Sequence, residues 1–288
     1  MHPDFVVSPL DYGLWRQPGL RTFLGAPLRI CVGAAAPEAV RVGWGRKRSG
    51  RRAERLSARN GSRKLLLEDG FLRSIGFGPG EPPLSLVLDD RGIYYDATAP
   101  SRLEALIGEP LSSAQSQRAA DLMRAWREGR VSKYNQAREY RGPLPEKFVL
   151  VVDQTYGDAS IHCGLASASS FARMLRAALA ENPLSDIVLK THPEVAAGRK
   201  AGHFDLAALA ADSRVRLLGE DVHPAGLLER AESVYTVTSQ MGFEALIWQR
   251  PVRTFGMPFY AGWGLTGDEL PRPNRRGKAT LEQLVHAA

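Results

Sequence analysis

Apolar positions along the chain fall into short runs bounded by Gly, Pro and Asp, with helix-period stretches between them. "LRICVGA" (28–34), "VRVGWG" (40–45), "KLLLEDG" (64–70), "LSLVLDD" (84–90) and "GIYYDAT" (92–98) read as strands, the last two divided by the turn signal Asp90-Arg91-Gly92. A basic amphipathic helix is expected over about 50–60. "RGPLPEK" (141–147) reads as a linker. Beyond it "FVLVVDQ" (148–154), "DIVLKTH" (186–192), "RVRLLGE" (214–220), "SVYTVTS" (233–239) and "PVRTFG" (251–256) alternate with helical stretches. Phe171, Met174, Leu175, Ala178 and Leu179 recur at i, i+3, i+4, i+7 and i+8, one apolar helix face that Pro183 brings to an end. Pro224 suits the first turn of a further helix over about 224–231.

Strands that are apolar without clean alternation, each followed by a helix, imply parallel sheets covered on both faces. The expected architecture is α/β, with two doubly wound, Rossmann-like domains facing a central cleft. Residues 1–142 would form the first domain with a helical connector, and 143–288 the second. Ligands of such sheets gather beyond the carboxyl ends of the strands. The polar residues found there are Glu68-Asp69-Gly70, Asp153-Gln154 with Asp158, Lys190-Thr191-His192-Pro193, Gly219-Glu220-Asp221 and Thr238-Ser239-Gln240-Met241-Gly242.

Composition changes this picture little: of 288 residues, 44% are hydrophobic and 24% charged, as in an ordinary folded domain. No apolar run approaches the roughly 20 residues of a membrane-spanning helix, and the N-terminus lacks the pattern of a signal peptide. Cys31 and Cys163 stand apart without metal or redox spacing, so both thiols are expected free and the setting cytoplasmic. No His or Cys spacing suits a metal, and there is no Walker loop, no GxGxxG after a strand and no GxSxG elbow. The net charge of +7 is concentrated in 45–64 and 272–278. Such runs are either solvated faces or surfaces that attract a polyanion. Nucleic acid is disfavoured as that polyanion, because no motif for reading it is present.

The polar clusters have specific chemistry and dull alternatives. Lys190 and His192 at a strand end can hold a phosphate or carboxylate, or His192 can simply cap a turn before Pro193. Thr238, Ser239 and Gln240 stand at a helix entry, where hydroxyls and free N–H groups suit an anion. Glu244, one turn in, can accept from ribose hydroxyls; equally, Ser239 can be a cap and Glu244 a first-turn acid. Glu68, Asp69 and Asp158 offer carboxylates from opposite domains, as glycosyl chemistry requires, although Asp69 and Asp158 each adjoin a glycine and suit turns. "FYAGWG" (259–264) is either a closing loop or a packed turn.

Taken together, "GWGRK", "LEDGFLRSIG", "LVLDDRGIYYDATAPSRLE", "SKYN", "VLVVDQTYGDASI", "KTHPEV", "YTVTSQMGFEAL" and "PFYAGWGLT" resemble the bacterial capsular-polysaccharide β-Kdo glycosyltransferases, the KpsC capsule export proteins. The likeness runs in order from about residue 40 onward and covers one of the two modules that members commonly carry. It implies a GT-B-like, retaining transferase that takes Kdo from CMP-Kdo to a lipid-linked Kdo acceptor, on a phosphatidylglycerol anchor, to build a poly-Kdo linker. It implies no cofactor and no metal. By motif, Asp158 would be the nucleophile of a covalent Kdo–aspartate intermediate and Glu68 the general acid/base, with Asp69 and Asp153 in reserve. His192 and Pro193, with Gln154, Lys190, Thr238, Ser239 and Gln240, would contact the donor, and Glu244 its ribose. Expected partners are the anionic inner face of the inner membrane and capsule assembly proteins. A transferase of another CMP-activated keto-acid sugar, such as sialic acid, and a non-catalytic assembly scaffold are the competing readings.

Overall fold

Backbone hydrogen bonds sort the apolar runs into two sheets, one in each of the two units into which the chain divides. The computed structural model describes residues 4–17, 19–32, 36, 38–76, 81–191, 195 and 201–288. One unit is Met1–Tyr94 with Ala99–Ala105, the other Tyr95–Thr98 with Leu106–Ala288. Among the described residues no helix is long and apolar enough to cross a membrane.

The first unit holds β1 (Phe5–Val7), β2 (Leu28–Ile30), β3 (Val40–Trp44), β4 (Arg63–Asp69) and β5 (Leu86–Asp89), in the order β2-β1-β3-β4-β5. All pairs are parallel except β4 with β5. The three residues of β1 carry too little pattern to be expected as a strand, yet all are buried between β2 and β3. The expected strand "GIYYDAT" is instead a run of turns. The cause is Asp89, fully buried, whose carboxylate gathers the amides of Arg91, Gly92 and Arg102 at 2.8–3.0 Å. Those bonds satisfy a buried polar group that would otherwise be costly, and they commit the chain to a loop leading into the helix Arg102–Ile107.

In the second unit β6 (Phe148–Val152), all five residues buried, lies between β7 (Asp186–Lys190) and β9 (Ser233–Thr236). With β8 (Val215–Leu218), β10 (Val252–Thr254) and β11 (Gly267–Asp268), the order is β11-β10-β9-β6-β7-β8, parallel throughout. The chain therefore winds outward on one side of β6, then returns to its other side, which is the dinucleotide-fold order. The helix Ala168–Glu181 buries Phe171, Met174, Leu175 and Ala178 on the sheet and stops before Pro183, as its period predicts. The unit boundary lies at Ala105–Leu106, ahead of the 142/143 expected from the linker signal. The physical reason is the helix Ser113–Glu128, whose buried Met123 and Trp126 pack toward the helices Met241–Ile247 and Leu281–Ala287 of the second unit.

Two basic segments have different fates. In the helix Arg48–Asn60, Gly50, Ala53 and Ser57 are buried, while Arg48, Arg51, Arg55 and Arg59 line the exposed face. The helix's one acid, Glu54, is taken by Arg46 and Lys64. In 272–278, by contrast, Arg276 is 1% exposed and donates to the carbonyls of Pro258 (2.7 Å) and Ala261 (2.9 Å), while Arg275 donates to Ala97 O. Arg276 is thus internal scaffolding, while Arg272, Arg275 and Lys278 stay exposed.

Gly50 and Gly43 let the helix Arg48–Asn60 lie directly on the end of β3. A Cβ on Gly43 would stand 2.6 Å from Gly50 Cα, and one on Gly50 only 2.7 Å from Trp44 O. Gly50→Ala is expected to destabilise the first unit by about 1–3 kcal/mol, the usual cost of overpacking, while Arg55→Ala on the exposed face stays within about 0.5 kcal/mol. Denaturant melts of the two variants check this, and a wild-type midpoint for Gly50→Ala would refute the close approach.

Candidate functional site

The carboxyl ends of β6 and β9 meet where the strand order reverses, and the polar residues expected at those two ends are bonded to one another. Gln154 is buried, with its amide spanning the gap. Its Oε1 accepts from Thr238 N at 3.0 Å, and its Nε2 donates to Thr238 Oγ1 at 3.0 Å. Ser160 Oγ shares a hydrogen bond with Thr238 Oγ1 at 3.0 Å and lies 3.3 Å from Gln154 Nε2. These contacts bring Gln154, Ser160 and Thr238 into a single hydrogen-bonded group, with Asp158 Oδ2 3.4 Å from the Gln154 amide nitrogen.

Asp158 takes the turn position that its neighbouring glycine suggests, and it faces solvent. Its Oδ1 caps the short helix Ala159–Cys163 by accepting from Ser160 N at 2.9 Å, and its residue remains exposed. Gly157, at φ +83°, makes the turn that lifts it there. Asp153 differs: its side chain is 1% exposed and Oδ1 accepts from Gln154 N at 2.8 Å and faces His203 Nδ1 at 3.2 Å. The two aspartates that the sequence offers side by side are thus one solvent-facing and one interior.

Ser239 Oγ accepts from Met241 N at 3.3 Å at the entry of the helix Met241–Ile247, and Ser239 O accepts from Tyr260 at 2.5 Å. Gln240 donates to Glu244 at 3.3 Å. Glu244 itself is 1% exposed and accepts from Ser132 Oγ at 2.7 Å and Lys133 N at 3.3 Å, so it fastens the 132–133 turn to this helix. Burial pushes its carboxyl up to about 7. Lys190 ends β7, where burial lowers its ammonium below the ordinary range against the opposing pull of Asp221. His192 and Pro193 lie outside the described residues. "FYAGWG" is a packed turn: Phe259, Tyr260, Ala261 and Trp263 are each at most 3% exposed.

In the first unit, Glu68 stands at the end of β4 and accepts from the Trp44 indole N–H at 2.8 Å and from Asp69 N at 3.2 Å. Burial raises its pKa above the usual carboxylate value, with those two bonds opposing the shift. Asp69 is paired with Arg73 at 3.4 Å. A carboxyl that is partly desolvated and held by one indole and one amide is suited to take and return a proton.

Four residues of these clusters were not singled out by sequence reasoning: Trp44, Ser132, Ser160 and His203. Trp44 and Ser132 sit inside the quoted stretches "GWGRK" and "SKYN", and Ser160 lies two residues after Asp158 inside "VLVVDQTYGDASI", so motif membership was the available signal. His203 has none, being remote in sequence from everything it touches.

A family described as "Capsule polysaccharide biosynthesis protein" matches residues 38–141 and 122–288. The chain is 45% identical to the capsule polysaccharide modification protein LipA of Neisseria meningitidis serogroup B, over 96% of this chain and 41% of that protein. It is 38% identical to the lipopolysaccharide-processing protein LpsZ of Rhizobium meliloti, over 77% of this chain and 52% of that one. The chain thus spans about two fifths to half of the length of these curated relatives. Among solved structures it is similar to the β-Kdo 2,4 transferase of Thermosulfurimonas dismutans KpsC, with TM-score 0.90, 40% identity, and coverage of 100% of this chain and 90% of that one. The β-Kdo 2,7 transferase of the same KpsC gives TM-score 0.72 and 29% identity, covering 99% and 90%. With matches that span nearly its whole length, the chain belongs to the capsule polysaccharide biosynthesis protein family.

Proposed function

We propose that the chain is a retaining β-Kdo transferase module that moves Kdo from CMP-Kdo to a lipid-linked Kdo acceptor, extending the poly-Kdo linker of a capsule. The observation that carries this reading is the exposed Asp158 carboxylate beside the Gln154–Thr238–Ser160 group, in a chain so similar to the Kdo 2,4 transferase structure. The greater likeness to that structure than to the 2,7 transferase favours the 2→4 linkage.

In the first step an Asp158 oxygen bonds to the anomeric carbon as the bond to CMP breaks, and the electron pair departs on the CMP phosphate. Kdo, a keto-acid sugar, has a fully substituted anomeric carbon, so positive charge builds readily there and a nearby carboxylate stabilises it. The departing phosphate calls for cationic and hydrogen-bonding groups, the role given to Lys190 and His192 with Ser239 and Gln240. In the second step Glu68 takes the proton of the acceptor hydroxyl, whose oxygen then displaces Asp158. Two inversions amount to retention. Asp153 and Asp69 are less suited to attack, since one is interior and the other is paired with Arg73.

Brief exposure to CMP-Kdo followed by intact-mass and peptide analysis is expected to find a Kdo-sized increment on Asp158. Asp158→Ala is expected to lose roughly 10³-fold or more in transfer while CMP binding persists. An increment on Asp153 or Asp69 instead would move the nucleophile.

The raised pKa of Glu68 sets the acid limb of activity. As a base it works only when ionised, so kcat/KM falls as pH drops through a pKa above the ordinary 4.5. Glu68→Gln is expected to abolish that limb along with most of the turnover; a variant that keeps the wild-type pH profile would exclude Glu68 as the base.

The arginine face of the helix Arg48–Asn60 suits an anionic bilayer, on which a lipid-linked acceptor would lie. Vesicles containing phosphatidylglycerol are expected to recruit the chain, and purely zwitterionic vesicles to leave it in solution. Replacing Arg48, Arg51, Arg55 and Arg59 by Gln should remove the difference; equal recruitment of the unmodified chain by both vesicles would sink the idea.

A further inference from the structure

His203 lies 50 residues beyond Asp153 in sequence, yet it is built into the turn that follows β6. Its imidazole stacks flat on Phe171, with ring centroids 3.7 Å apart and planes 4° from parallel, and Tyr156 flanks it at 5.6 Å. Phe171 is fully buried in the core of the second unit, so the ring packs directly against that core. Its Nδ1 lies 2.9 Å from Gln154 O and 3.2 Å from Asp153 Oδ1. A backbone carbonyl and a carboxylate oxygen hydrogen-bonded by Gln154 N are acceptors, so Nδ1 is the nitrogen that carries hydrogen, shared between the two. The backbone contributes as well: His203 N approaches Asp153 Oδ1 at 3.4 Å, and Tyr156 N donates to Ala201 O at 2.9 Å. Gly202 permits this approach, because a Cβ there would stand 2.5 Å from Asp153 Oδ2.

The consequence concerns Gln154 and Asp158. Residues 153–156 are held on one side by the 201–203 segment, and two residues later the chain presents Asp158 through the Gly157 turn. Gln154 presents its carbonyl to His203 and its amide to Thr238. Fixing that carbonyl fixes the peptide from which the Gln154 side chain departs, and with it the group that borders Asp158.

We propose that His203 is a positioning residue for transfer: its Nδ1–H, acting through Asp153 and the Gln154 carbonyl, sets the register of the turn that carries Asp158. This rests on the reading of Asp158 as the nucleophile. It makes Asp153 the partner that orients His203, in the way a buried carboxylate orients an imidazole elsewhere, and gives it no bond to the sugar.

Two replacements separate the ring from its hydrogen. His203→Phe keeps a flat ring between Phe171 and Tyr156 and removes the donor. His203→Asn removes the ring but keeps an N–H donor near the Nδ1 position. For His203→Phe, kcat with CMP-Kdo is expected to fall at least 100-fold, with the KM for CMP-Kdo changing less than threefold and the melting temperature falling by only a few degrees as Asp153 and the Gln154 carbonyl lose a donor. His203→Asn is expected to recover kcat to within tenfold of the unmodified chain, although it loses the stacking. Hydrogen exchange of the peptide spanning 153–160 supplies a readout besides turnover: exchange of the Tyr156 amide should rise at least tenfold in His203→Phe and return toward normal in His203→Asn.

Unchanged exchange in His203→Phe would overturn the clamp, and raised exchange with undiminished kcat would overturn its role in transfer. A loss of kcat that tracks thermal stability equally in both variants would also overturn it, since packing alone would then explain the effect. Asp158→Ala, assayed in parallel, keeps the two levels apart: near-normal transfer by that variant would defeat the reading of Asp158, whereas an inactive Asp158→Ala beside a fully active His203→Phe defeats only the positioning role.

Discussion

The hydrogen bonding of one side-chain amide is the constraint around which the second unit is arranged. Gln154 follows the central strand at the point where β6 and β9 part company, and neither strand can satisfy its buried amide alone. Leaving such a group unpaired costs more than a formed bond gains. Thr238 supplies both a backbone donor and a hydroxyl, and Ser160 reaches the same hydroxyl from the next helix. The end of β6, the short helix after it and the end of β9 are thereby held to a common point, and that point is where open parallel sheets receive ligands.

Buried acids are handled in several ways, and the handling predicts what each can do. Asp89 is surrounded by amides and serves the backbone. Glu244 leans on a serine hydroxyl, a main-chain amide and a glutamine, which together only partly offset its desolvation. Glu68 is supported by an indole and one amide, enough to orient it without fixing its charge. A carboxylate ringed by several amides serves the backbone; one that is desolvated with few partners has its pKa raised, as Glu68 and Glu244 do.

Most strands and the helix carrying Phe171 were legible because their apolar residues follow strong, local periods. The same is true of the polar strand ends, since an open α/β sheet dictates where function collects. "GIYYDAT" misled because its residues have high strand propensity, while the decision was made by Asp89, which gathers amides up to thirteen residues away. Strand β1 was hidden by its brevity, and the unit boundary by a helix whose buried side is complete only against Met241–Ile247 and Leu281–Ala287. Within the site, spacing marked Asp153 and Asp158 alike. Only tertiary packing, through Phe171 and His203 on one and the Gly157 turn on the other, makes them different.

Arg276 carries a consequence for biogenesis. Its guanidinium fills the hydrogen-bonding needs of the Pro258 and Ala261 carbonyls, inside the turn whose Tyr260 in turn holds Ser239. A nascent chain emerging from the ribosome therefore has all six strands of the second sheet available before the turn behind Ser239 can close. Until residue 276 is released, those carbonyls must be met by water, and the loop after β9 lacks its final support. A segment whose sequence reads as a charged surface run thus carries the residue whose arrival completes the interior.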